Sequence, residues 1–112
     1  MGQALASKLT VIKERSGISG RDVAQLLGTT PQTVSRWQTG RATPQPGKLE
    51  GLLVLEWLAD RLSQFYEPEE ARLWLYSPHR LLNGQRPADL IADGCTDDVL
   101  VLLDQLESGA FH

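Results

Sequence analysis

Residues 30–41 read Thr-Pro-Gln-Thr-Val-Ser-Arg-Trp-Gln-Thr-Gly-Arg. Two side-chain types in this stretch read DNA bases: glutamine makes two hydrogen bonds to adenine, and arginine makes two to guanine. At 100° per residue, a helix that turns Val34 and Trp37 inward turns Gln32, Ser35, Arg36 and Thr39 outward, with Thr33 on the flank. Thr33, Ser35 and Thr39 are short enough to reach phosphates, and Arg41, just past the helix, is placed for a backbone contact. Gln32, Thr33, Ser35, Arg36, Thr39 and Arg41 are therefore the candidate DNA-binding residues.

Other chemistries find less support. Cys95 follows Gly94 near a predicted helix start and is the one thiol that could act as a nucleophile. His79 is the only internal histidine, but no spacing brings the two together as a nucleophile and base, and a buried or incidental thiol is the simpler reading. A single cysteine excludes an intramolecular disulfide and any multi-cysteine zinc site. Glu67, Glu69 and Glu70 fit a solvated first helical turn, where the helix dipole favours carboxylates. No glycine-rich phosphate loop is present, and Trp74 reads as core. The chain is expected to be no enzyme, with no cofactor and no metal.

The elements that must position the base-reading residues are helices. Apolar residues recur at helical spacing, and no long segment alternates with period two, so the expected fold class is all-α. A first helix is predicted over about Ala4–Arg15, with Leu5, Leu9 and Ile12 on one face. Ser19 and Asp22 have capping-box spacing for a second helix, Ile18 and Val23 sit as a hydrophobic staple, and Gly28 stops it. Thr30 caps the third helix, with Pro31 in its first turn, and Gly40 ends it. A small Ala24 allows the two helices to cross closely, and the short turn at Gly28 makes the pair a helix-turn-helix.

After a Gly- and Pro-containing loop over residues 40–47, a long helix is predicted from about Lys48 to Tyr66. Its apolar residues cover more than one face. Either the rest of the chain or a second copy must cover the excess. Pro68 starts a short helix, an Asn83-Gly84 turn follows, Pro87 opens another short helix, and Thr96 is the expected cap of the last one, Asp97 to about Ser108.

With 112 residues, 41% hydrophobic and 22% charged, the chain suits one ordinary domain or two small ones sharing a core. The net charge of −3 excludes a protein that coats nucleic acid by bulk charge, but the mean hides an asymmetry. Residues 1–50 hold seven basic and three acidic residues, a net +4; residues 51–112 hold four arginines and eleven carboxylates, a net −7. The first half suits a polyanion and the second a protein partner. No signal-peptide pattern appears, and no apolar run approaches the roughly 20 residues of a membrane helix, so a cytoplasmic protein without membrane contact is expected.

Residues 4–58 resemble the Xre-type helix-turn-helix of repressors, with Ser-Arg-Trp-Gln-Thr-Gly-Arg-Ala-Thr-Pro close to that family's recognition-helix ending. The stretch Phe65–Gly109 resembles the toxin-binding domain of the Xre/MbcA/ParS antitoxin family. The matching residues are Trp74-Leu75, Pro78, Leu81-Leu82, Asn83-Gly84, Pro87, Leu90-Ile91, Gly94, Val99, Leu102-Leu103 and Gly109. The resemblance implies a DNA-binding region over 1–58 and a small helical toxin-binding domain over 59–112. It implies repression of the protein's own operon through operator DNA, and silencing of a RES-domain toxin that consumes NAD. It also implies that the C-terminal end, Ser108, Gly109, Ala110, Phe111 and His112, blocks the toxin's active-site entrance, with Phe111 as an apolar plug. One helix-turn-helix reads few base pairs, so a homodimer on two half-sites is expected, besides a hetero-oligomer with the toxin. The alternative is a stand-alone regulator whose acidic half dimerises or senses a ligand.

Overall fold

The structure is a computed structural model that describes residues 2–109. These residues form seven α-helices and one 3₁₀ turn, with no strand among them. In chain order the helices are α1 (Gly2–Ser16), α2 (Gly20–Leu27), α3 (Pro31–Gln38), α4 (Pro46–Leu62), α5 (Pro68–Tyr76), α6 (Pro87–Ala92) and α7 (Thr96–Glu107); the 3₁₀ turn, Arg80–Leu82, lies between α5 and α6. None of the helices is long and apolar enough to cross a membrane, among the described residues.

The caps of α2 and α3 form as the residue types dictate. The Ser19 hydroxyl accepts the Asp22 N–H (3.3 Å), and the Asp22 carboxylate accepts the Ser19 N–H (3.0 Å), which closes the capping box. Gly28 takes φ +68° and lets the Thr29 N–H reach back to the Ala24 carbonyl at 2.8 Å, while its own N–H reaches the Gln25 carbonyl at 3.3 Å, so the turn pairs two of α2's last carbonyls. Thr30 then caps α3 through the Thr33 N–H (3.1 Å), with Pro31 at the first helical position.

Three helices differ in their boundaries from the sequence expectation. The long helix starts at Pro46, which needs no N–H partner there, and ends at Leu62 instead of Tyr66. At Ser63 the side chain bonds the Asp60 carbonyl (2.6 Å), and the Phe65 and Tyr66 N–H groups both turn back to the Leu62 carbonyl. Thr96 is the first residue of α7, not its cap. The capping position falls to Cys95, whose N–H is held by the Leu90 carbonyl at 2.7 Å and whose side chain makes no cap bond. The first helix is longer than expected, and the buried Ser16 at its end returns its hydroxyl to the Ile12 carbonyl (2.6 Å).

One continuous apolar core runs through both halves. Leu5, Leu9 and Ile12 of α1 meet the inner face of α4, where Leu52, Leu55, Leu58 and Leu62 are buried. Helix α5 packs on α1 through Ala71, Trp74 and Leu75, and α6 joins α2 to α5 and α7. The molecule is elongated, 45 × 25 × 19 Å, and the expected division at 58/59 falls inside α4 between two buried residues, Leu58 and Ala59.

Candidate functional site

Val34 and Trp37, 1% and 3% exposed, pin α3 to the core. That fixes the outward stripe: Gln32, Ser35, Arg36 and Thr39 are exposed, and Thr33 is half-buried on the flank. Thr33 also serves the cap, its hydroxyl 2.9 Å from that of Thr30. The Thr39 hydroxyl donates back to the helix, 3.2 Å from the Ser35 carbonyl, and keeps its oxygen available as an acceptor. Arg41 is exposed beyond α3, its N–H tied to the Arg36 carbonyl at 2.8 Å.

Ion pairing sorts the basic residues of the first half. Lys8 pairs with Glu56 (3.1 Å) and Arg15 with Asp60, both on α4. Lys48 donates to the Leu27 carbonyl at the end of α2. Lys13, Arg21, Arg36 and Arg41 are exposed and in no ion pair among the described residues. Three of these four lie on α2, on α3 or just past it, and a polyanion would meet them there.

Asp22 has a second structural role that the sequence reading missed. Besides closing α2's capping box, its carboxylate receives Arg72 of α5 through both guanidinium nitrogens, one at 3.2 Å, and the Tyr76 hydroxyl at 3.3 Å. Arg72 also stacks on the Tyr76 ring, 4.9 Å from its centre. Burial pushes the Asp22 carboxyl up, but the Arg72 guanidinium and the Ser19 hydrogen bonds outweigh it, so Asp22 titrates below its ordinary range. Burial and the nearby Asp22 charge push the Tyr76 phenol up. This cluster ties the start of the helix-turn-helix to the acidic half. Its signal in the sequence was slight: a lone carboxylate on α2, and an Arg-Tyr pair four apart on α5.

At the other end, Ser108 is exposed and caps α7, and Gly109 turns the chain with φ +77°. Ala110, Phe111 and His112 lie outside the described residues. Cys95 and His79 are not brought together. The His79 ring bonds the Trp74 carbonyl (2.9 Å) and sits 5.0 Å from the buried Trp74 ring, while Cys95 is exposed.

The family model described as a helix-turn-helix domain matches residues 4–62. The model described as the antitoxin Xre/MbcA/ParS C-terminal toxin-binding domain matches residues 63–109. The chain is 36% identical to the mycobacterial cidal antitoxin MbcA of Mycobacterium tuberculosis and of Mycobacterium bovis over 107 residues, covering 96% of this chain and 95% of the relative. A probable mycobacterial cidal antitoxin of Mycobacterium tuberculosis is 31% identical over 106 residues, covering 95% and 90%. Among solved structures, a chain in the crystal structure of the M. tuberculosis MbcT–MbcA toxin–antitoxin complex superposes with a TM-score of 0.82 at 35% identity, covering 96% of this chain and 97% of that one.

Proposed function

The chain belongs to the Xre/MbcA/ParS antitoxin family, and from that premise we propose that it silences a RES-domain, NAD-consuming toxin with its acidic half and represses its own operon with its basic half. The observation that carries this reading is the likeness along the whole chain to an antitoxin solved in a toxin complex. The α3 stripe supports the second activity: a base-reading glutamine and arginine face outward on a helix held rigid by Val34 and Trp37. With operator DNA and an NAD-consuming toxin as its targets, the protein would work in the cytoplasm.

The expected blocking element is the tail from Ser108 to His112, with Phe111 entering the toxin's pocket mouth. Helix α7 and the Gly109 turn lead directly into that tail. A homodimer presents two recognition helices to two half-sites. The flank of α4 supports that arrangement, since Leu49, Leu53 and Trp57 recur every four residues and remain exposed.

The test is co-expression of the chain with the RES-domain protein encoded beside it, followed by size exclusion and an NAD-turnover assay. A stoichiometric complex that consumes no NAD, and regains turnover when the antitoxin is removed, is expected. Deleting Ala110 to His112 should restore NAD turnover while leaving operator binding intact. Inhibition by the truncated chain equal to that of the full chain would refute the plug. A homodimer that ignores every RES-domain protein offered would point to the stand-alone regulator. The cleft of about 540 Å³ between Leu26, Lys48 and Ile91 would then be the place to seek its ligand.

A further inference from the structure

On the acidic half, the 3₁₀ turn and α7 enclose a groove of about 240 Å³. The buried Leu82 and Leu102 line it, as do Leu81 and Val101, 55% and 58% exposed, beside the polar Asn83 and Gln85. Asp98 and Gln105 line its rim. Large apolar side chains this exposed, on one groove, gain nothing in the isolated chain.

The charges around Val101 say what kind of surface would cover it. Asp97 and Asp98 lie one turn before it on α7 and Asp104 one turn after, all exposed and in no ion pair among the described residues. Asp97 and Asp98 are at home at the helix N-terminus, but Asp104 is in the last turn, where the dipole disfavours a carboxylate. Its neighbour Glu107 is compensated by Arg61 (2.8 Å), and Asp104 has no such cation. A groove that exposes Leu81 and Val101 among polar side chains, with Asp98 on it and Asp97 and Asp104 close by on α7, complements an apolar side chain flanked by lysine or arginine.

We propose that this groove docks the toxin, taking an apolar side chain with basic neighbours from the toxin's surface, as a second hold apart from the tail. The inference rests on the antitoxin reading above. Docking through the groove supplies affinity, and the tail supplies inhibition.

The test uses the full chain and the RES-domain protein encoded beside it. Val101→Lys should raise the Kd of the complex roughly tenfold or more, as expected for a charge placed in an interface centre. Far-UV circular dichroism and operator binding should be unchanged. Asp98→Lys combined with Asp104→Lys removes no internal partner, so it keeps the test open if Val101→Lys fails to fold. It should weaken the complex and flatten its salt dependence. Wild-type Kd in folded variants of both kinds overturns the groove. So does a homodimer lost in Val101→Lys while toxin binding persists, which would give the groove to a second copy. Failure of the wild-type chain to bind the RES-domain protein overturns the antitoxin reading itself, and the groove with it.

Discussion

Asp22 carries two structural duties on one carboxylate, the α2 cap and the bridge to α5. Its folded pKa is depressed, so its stabilisation is present above the ordinary carboxylate range and is lost as pH falls through the folded value. At neutral pH, Asp22→Ala should cost about 1–3 kcal/mol, combining a lost cap with an Arg72 left without its partner. The gap in melting temperature between wild type and variant should close as the pH is lowered into the acid range. A gap that is constant with pH would mean that the carboxylate charge contributes nothing. Capping spacing made the first duty legible in the sequence; the second joins residues 50 apart, and no local pattern encodes such a pairing. Arg36 offers a separate check on the outward stripe. If it pairs with guanine, Arg36→Ala should weaken operator binding by about 1–3 kcal/mol and relax preference at one base position. A uniform loss over all sequences would reassign Arg36 to phosphate.

Helix α4 shows how one element serves two environments. Leu52, Leu55, Leu58 and Leu62 are buried against the core, while Leu53 and Trp57 on the other flank are 43% and 41% exposed. Leu55→Ala should therefore cost about 2–5 kcal/mol by leaving a cavity, whereas Leu53→Ala should cost under about 1 kcal/mol. Trp57→Glu should likewise spare the fold. If the flank joins two copies, it should split the homodimer in size exclusion and weaken operator binding with it; an intact dimer would send the interface elsewhere. The excess of apolar residues on this helix was plain in the sequence. Which of them stay uncovered was not, because that depends on where α1 lies on α4. The helix ends were misjudged for a related reason: apolar periodicity continues through Phe65 and Tyr66, while a Ser63 side chain and backbone turns decide where the helix stops.

At the scale of the molecule, the two proposed activities divide where folding does not. The first half carries the candidate DNA face and the second the toxin-binding domain, yet a single core passes through both. Helix α1, at the start of the basic half, is covered by α4 and by α5 of the acidic half, and the Asp22–Arg72 bridge closes the same seam. Composition revealed the charge division, and the family resemblance suggested the two proposed activities, but neither carries information about a shared core. The consequence is cooperative unfolding. Trp37 is buried in the helix-turn-helix and Trp74 in the acidic half, so variants retaining only one of these two, with Trp57→Phe in both, report each half separately. Denaturant midpoints from the two variants, each compared with its own helical signal by circular dichroism, should coincide within each variant. A Trp74 transition that precedes the loss of helix in the Trp37 region would mean that the acidic half unfolds alone. In that case toxin binding could be lost without loss of DNA binding. Coincidence would mean that any substitution loosening one half lowers both activities together, so loss of repression alone would have to come from the exposed face of α3 and not from the core beneath it.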